Sequence, residues 1–127
     1  MKDLTEEQKN VIRQLQKDAH ENALNHGFWS NSTMYDIPDR LMRIVSEASE
    51  AMEDYRNAKD MKDLVEVKTT LWPSKDVGKP AGFPTELADI IIRVLDVSEW
   101  MGIDIIDVVL QKMAYNEKRP ALHGRAR

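Results

Sequence analysis

The sequence contains no cysteine and no apolar run long enough to cross a membrane. Without cysteine the chain has no disulfide, no zinc–thiolate site and no cysteine nucleophile. A membrane-spanning helix needs at least about 18 consecutive apolar residues, and every apolar segment here is shorter. Residues 1–7 are too acidic to open a secretory signal. These absences predict a cytoplasmic protein that does not enter a membrane.

The charge balance is mildly acidic, with 18 basic and 22 acidic residues and a net charge of -4. Such a balance argues against long nucleic acids as partners, because they bind surfaces rich in Lys and Arg. The hydrophobic fraction of 42% and the charged fraction of 31% are those of an ordinary globular protein. A chain of 127 residues has the size of one domain, so we expect a single core over 1–127.

Four segments show apolar residues at the spacing of amphipathic helices. They cover about 5–26, 38–58, 85–101 and 104–116. Thr5 with Gln8 forms a capping box for the first, Gly102 ends the third, and Asp104 caps the fourth. The third segment is apolar on nearly every side, so it should be the central, most buried helix.

Residues 59–84 form a polar insert that proline and glycine interrupt. Within it, residues 64–72 fit either a short strand pair or a helical turn. A basic tail, 118–127, follows the last helix. With four helices, no convincing parallel strands and no internal repeat, the sequence predicts an all-α, four-helix-bundle-like domain.

Two pairs of carboxylates stand three residues apart on separate helices: Glu47 with Glu50, and Glu86 with Asp89. Residues at this spacing share one helix face, where like charges cost about 0.2–0.5 kcal/mol. The ordinary explanation is a solvated face, and the helix dipole accounts for Glu86 better than for Asp89. If the second and third helices pack antiparallel, the four carboxylates converge on a cation instead.

The chemistry of the ligands narrows the choice of cation. An oxygen-only set suits Mg²⁺ or Mn²⁺, whereas di-iron bundles use Glu-x-x-His motifs. None of His20, His26 or His123 stands three residues after a glutamate, so di-iron chemistry is disfavoured. Magnesium usually keeps several waters and binds substrate phosphates. The site therefore predicts a small phosphorylated ligand.

A polar stripe on the last helix supplies a second signal for phosphate. Lys112, Asn116 and Arg119 have i, i+4, i+7 spacing, which places them on one face. The two cations would neutralise phosphate oxygens, and the amide would contact a base or sugar. The alternative is that basic residues favour the C-terminal end of a helix through its dipole.

Taken together, the motifs resemble those of the MazG-like nucleotide pyrophosphohydrolases of the all-α NTP pyrophosphatase superfamily. The resemblance spans nearly the whole chain, and the ordered set is more specific than any one motif. It rests on GFW at 27–29, SEASE at 46–50, KPAGFPTELAD at 79–89, KMAYNEKRP at 112–120, and HG at 123–124.

The resemblance implies an Mg²⁺-dependent hydrolase that cleaves nucleoside triphosphates between the α and β phosphates, in nucleotide-pool house-cleaning. The products are a monophosphate and pyrophosphate. The implied metal ligands are Glu47, Glu50, Glu86 and Asp89, of which Glu47 and Glu50 are also catalytic. The implied substrate-binding residues are Trp29, Lys112, Asn116 and Arg119. Trp29 either stacks on the base or caps the core. A homodimer or homotetramer is expected, from the resemblance and from the amount of apolar helix surface.

One position departs from the family pattern. Many relatives carry a glutamate, a plausible general base, immediately before the first metal ligand, and here that residue is Ser46. A hydroxyl does not accept a proton from water near neutral pH as a carboxylate does. A metal ligand or a nearby acid, Glu53 or Asp54, would then act on the water. The alternatives are a nucleotide-sensing or protein-interaction module that keeps the metal site, and a purely structural bundle.

Overall fold

The computed structural model of the protein describes residues 2–71 and 75–124, except for the side chain of His123. It is 70% helical, which confirms the all-α prediction. The described part contains five α-helices: α1 (Glu6–Asn25), α2 (Ile37–Asn57), α3 (Met61–Leu64), α4 (Phe83–Met101) and α5 (Ile105–Glu117). The predictions for Trp72, Pro73 and 125–127 lie outside the described residues.

Local capping signals account for the accuracy of the helix boundaries. The Thr5 hydroxyl accepts a hydrogen bond from the Gln8 amide at 3.2 Å, and Gln8 Oε1 accepts one from the Thr5 amide at 2.9 Å. Gly102 ends α4 at a φ of 72°, in the left-handed region that favours glycine. The predicted capping box and glycine stop are both confirmed.

The insert at 59–84 contains both of the structures that the sequence left open. A helical turn, α3, precedes a two-residue antiparallel strand pair, β1 (Lys68–Thr69) with β2 (Pro80–Ala81). The chain then turns at Gly82, whose φ is 106° and where an added Cβ would lie 3.1 Å from the Glu66 carbonyl oxygen. This hairpin delivers Lys79 to the start of α4.

Helix α4 is central, as predicted, because it packs against both α1 and α2. Leu95, Val97 and Ser98 are its buried residues. It also remains half open: Leu87 is 44% exposed and Ile91 57%. Two neighbouring helices therefore cover only part of a helix that is apolar on most sides.

Helix α5 packs on α1 and starts differently from the prediction. Asp104 occupies the position before its first turn, but the carboxylate makes no capping hydrogen bond. It accepts hydrogen bonds from Arg13 Nε at 3.0 Å and Nη2 at 2.8 Å instead. Gln16 Oε1 takes over the cap by accepting a hydrogen bond from the Ile105 amide at 3.4 Å. Among the described helices, none has the length and apolar character that a membrane span requires.

Candidate metal centre

Three of the four predicted ligands meet between α2 and α4. Glu47, Glu86 and Asp89 each offer a carboxylate oxygen, and these oxygens lie within 4.8 Å of one another. Glu50 stands beside this group and hydrogen bonds with Glu86. The two acid pairs converge because α2 and α4 run antiparallel, with Glu50 near the first turn of α4 and Glu47 one turn further along.

The cluster is sheltered and has free ligand atoms. Glu47 is 7% exposed; its Oε1 accepts a hydrogen bond from Arg93 Nε at 3.0 Å and forms an ion pair with Arg93 Nη2 at 2.9 Å. The second oxygen, Oε2, is buried without a donor, and so is Oε2 of Glu86. Buried carboxylate oxygens are costly without a donor or a cation.

The pKa values of the three carboxyl groups reflect their burial and their closeness to one another. Burial, together with hydrogen bonds to Glu47 and Glu50, raises the pKa of Glu86 to about 8. Burial and the charge of Glu47 also raise the pKa of Asp89. Burial acts in the same direction on Glu47, but hydrogen bonds with Glu86 and Arg93 outweigh it and lower its pKa. The cluster without a cation thus holds a proton on Glu86 near neutral pH.

The carboxylates line a pocket of about 490 Å³ that also contains basic side chains. These are Arg40, Arg43, Lys79 and Arg93. These basic residues are not among those predicted from the sequence, although the spacing of the two arginines of α2 offers a signal. The two arginines of α2 each precede one of its two acids by seven residues, or two helical turns. Opposite charges therefore share one face of α2.

Trp29 lines the pocket, but little of its ring is exposed. It is 5% exposed; Trp100 stacks on one face at 4.8 Å between ring centroids, and Arg40 Cζ lies 4.1 Å from the Trp29 ring centroid. Its indole N–H donates to Asp96 Oδ1 at 2.7 Å, and His20 Nδ1 contacts the same oxygen at 2.8 Å. This geometry matches the core-capping alternative. Base stacking stays a prediction that would require Arg40 to move.

The predicted stripe on α5 does not reach this pocket within one chain. None of Lys112, Asn116 and Arg119 lines it. Lys112 Nζ and Arg119 Cζ lie 5.3 Å and 5.6 Å from the Tyr115 ring centroid, and Asn116 Oδ1 is buried without a partner. Their role in substrate binding stays a prediction.

The two acids predicted to replace the missing general base, Glu53 and Asp54, do not line the carboxylate pocket. Glu53 pairs with Arg56 at 3.1 Å on the exposed side of α2. Asp54 lines a separate cavity beside α3. Ser46 is exposed and does not line the carboxylate pocket, whereas Glu50 does. Glu50 is therefore the further acid of α2 that lies in the pocket beside Glu47.

Comparison with known proteins gives no assignment: no family model, curated protein or solved structure matches the chain. The geometry of the pocket therefore carries the functional proposal.

Proposed function

We propose that the protein is a MazG-like nucleoside triphosphate pyrophosphohydrolase, an Mg²⁺-dependent hydrolase that releases pyrophosphate and a nucleoside monophosphate in nucleotide-pool house-cleaning. The observation that carries the proposal is the convergence of Glu47, Glu86 and Asp89 within 4.8 Å. This cluster lies in a pocket large enough for a nucleotide, since small-molecule sites typically measure about 300–1,000 Å³.

The donor set fits Mg²⁺, with Mn²⁺ as an alternative. All the ligands are carboxylate oxygens, and two buried ones, Oε2 of Glu47 and Oε2 of Glu86, lack a donor. When bound, the ion would polarise a phosphate oxygen and lower the pKa of water. Arg93 fixes the orientation of Glu47, so the ligand face of that carboxylate is held ready.

The remaining step, removal of a proton from the attacking water, belongs to Glu50 in this proposal. Its side chain is exposed to the pocket and adjoins the cluster through Glu86. A carboxylate in this place can accept the proton that Ser46, the residue at the usual base position, cannot.

A homodimer or homotetramer is part of the proposal. The chain exposes 9918 Å², whereas a folded monomer of this size exposes about 6,900 Å². An apolar groove between α2 and α4 contributes to this excess; it is lined by Ala48, Ala51, Met52, Tyr55, Phe83, Leu87 and Ile90. A second copy of the chain seated on this groove would bury it.

Ser46 favours one alternative, a nucleotide-sensing or protein-interaction module that binds a metal without turnover. A panel of ribo- and deoxynucleoside triphosphates with Mg²⁺ separates the two. Pyrophosphate and monophosphate among the products support the enzyme; binding without products supports the sensor. Orthophosphate with diphosphate would mean that a different bond is cleaved. Glu86→Gln should lose turnover, while Glu53→Gln, an exposed acid of α2 outside the pocket, should keep it.

A further inference from the structure

Two of the four basic side chains in the pocket remain available to a ligand. Arg93 is engaged with Glu47, and Arg40 lies against Trp29 and donates to the Phe28 carbonyl oxygen. Arg43 donates its Nε to Asp39 Oδ2 at 2.9 Å, its Cζ lies 5.7 Å from the Phe28 ring centroid, and its side chain is 39% exposed. Within the described residues neither of its terminal nitrogens has a hydrogen bond, so both can bind another group.

Lys79 is the second available cation. It lines the pocket, and its side chain has no hydrogen bond or ion pair within the described part of the chain. It lines the pocket from the side of the β1–β2 hairpin, whose second strand begins at the next residue. Arg43 approaches from the other helix, one turn before Glu47 and about 6 Å away along the axis.

The charge balance of the pocket indicates which kind of ligand these two cations would bind. The acids that line the pocket carry six negative charges when ionised: Glu47, Glu50, Asp76, Glu86, Asp89 and Asp96. Arg40, Arg93 and a divalent ion together supply four positive ones. A bound polyphosphate adds several negative charges that nothing in this sum offsets. Buried or half-buried anions need cations or donors close by. Arg43 and Lys79 are the pocket groups that are free to serve.

We propose that Arg43 and Lys79 bind the phosphate groups of a polyphosphate chain on two sides of the carboxylate cluster. The proposal rests on the metal-dependent function above and assigns the phosphate contacts to this pair in place of the α5 stripe. The guanidinium of Arg43 can form a two-pronged contact with phosphate oxygens, whereas the ammonium of Lys79 acts as a point charge. A chain of three phosphates would contact both, and a single phosphate only one.

Inorganic tripolyphosphate is a suitable probe because it presents the phosphate chain without base or sugar. Its affinity is measured by calorimetry with Mn²⁺-loaded protein for wild type, Arg43→Gln, Lys79→Gln and the double variant. Each single change should weaken binding about 10-fold or more, the loss expected for one charge-assisted contact. Metal affinity without phosphate should change less than about 2-fold, because neither residue is a ligand.

Matched controls exclude a general charge effect. Arg56→Gln removes an arginine of α2 that pairs with Glu53 at 3.1 Å, much as Arg43 pairs with Asp39, but outside the pocket. Lys62→Gln removes an exposed lysine of α3. Both controls should bind tripolyphosphate as wild type does. Wild-type affinity in Arg43→Gln and Lys79→Gln, with folding confirmed by circular dichroism, would overturn the proposal, as would absence of binding to wild type.

Nucleotide turnover distinguishes this proposal from the function on which it rests. If wild type hydrolyses nucleoside triphosphates and the two variants keep its KM, the phosphate assignment fails and the enzymatic function stands. If wild type shows no turnover but binds tripolyphosphate through Arg43 and Lys79, the assignment stands and the enzymatic function fails. Partial recovery of affinity in Arg43→Lys would support a direct contact.

Discussion

Arg93 on α4 contacts a single carboxylate oxygen of Glu47 on α2, through a hydrogen bond from Nε at 3.0 Å and an ion pair with Nη2 at 2.9 Å. The other oxygen of Glu47 is buried and has no donor among the described residues. One contact thus joins the two central helices at the carboxylate cluster and leaves one oxygen of Glu47 unengaged.

Replacing Arg93 with methionine should destabilise the protein, because Glu47 would stay buried without its donors. We expect a loss of about 2 kcal/mol in the free energy of unfolding, moderated by the partial exposure of Arg93. Urea denaturation at neutral pH without metal measures it. Arg56→Met, which breaks an exposed pair on α2, should change stability by less than about 0.5 kcal/mol. Equal losses in the two variants would contradict the role of the Glu47 contact.

Stability of the metal-free protein should fall as pH rises through the range in which Glu86 titrates. Its pKa is raised from 4.5 to about 8, so the folded state holds a proton that the unfolded state releases between these values. Stability depends on this difference in bound protons and therefore decreases with rising pH. The lowered pKa of Glu47 acts in the opposite direction, but below its ordinary value of 4.5.

Thermal unfolding between pH 5.5 and 8 tests this expectation. Wild type without metal should lose about 5 °C or more in Tm across the range. Glu86→Gln should lose clearly less, since it has no proton to release. Excess Mg²⁺ should remove or reverse the wild-type trend, because metal binding displaces the proton. Parallel curves for wild type and Glu86→Gln would refute the assignment.

Helix boundaries and the meeting of the acid pairs followed from the sequence because their signals are local. Thr5 and Gln8 are neighbours along the chain, and each acid pair lies within one helical turn. Antiparallel packing was then the single assumption needed to bring Glu47 toward Glu86. In the structure α2 and α4 do pack antiparallel.

Features that depend on contacts between distant segments do not follow from the sequence, because local spacing does not show which segments meet. Trp29 is stacked on Trp100, a residue that no spacing rule connects with it. Lys79 reaches the cluster because a hairpin folds back before α4. The spacing of Lys112 and Asn116 predicts a shared face but does not reveal which neighbour that face meets.

Gln16 should be important for stability, although no sequence pattern marks it. It is 4% exposed, donates to the Ile103 carbonyl oxygen at 2.8 Å and accepts from the Ile105 amide. Gln16→Leu preserves volume but leaves both backbone groups without their partner, at an expected cost of about 2–3 kcal/mol. Gln14→Leu, which loses only an exposed contact with Asp18, is the control for chemical denaturation. A loss below about 0.5 kcal/mol for Gln16→Leu would exclude this role.

Leu87 should control assembly, because it lies 44% exposed in the apolar groove between α2 and α4. Light scattering after size-exclusion chromatography should give a dimer or tetramer for wild type and a monomer for Leu87→Asp. An aspartate placed in an apolar interface is costly to desolvate. Val67→Asp places the same charge on an exposed valine outside the groove and should leave the mass unchanged. A monomeric wild type would remove the proposed assembly.

Glu50 provides the sharpest test of the proposed chemistry, because it adjoins the metal cluster without belonging to its tight core. Glu50→Gln keeps the size of the side chain but does not accept a proton. We expect kcat for triphosphate hydrolysis to fall by about 100-fold or more, as for loss of a general base. Stability should stay equal or rise slightly, since the charge of Glu50 no longer adds to that of Glu47, three residues before it on α2.

Metal titration separates this role of Glu50 from that of a ligand. Mn²⁺ affinity of Glu50→Gln should stay within about 10-fold of wild type, whereas Glu47→Gln should weaken it more strongly. If Glu50→Gln keeps full turnover, the water is activated elsewhere and Glu50 is not the proton acceptor. If it loses metal affinity as severely as Glu47→Gln, Glu50 acts as a fourth ligand, and the cluster rearranges around the ion when it binds.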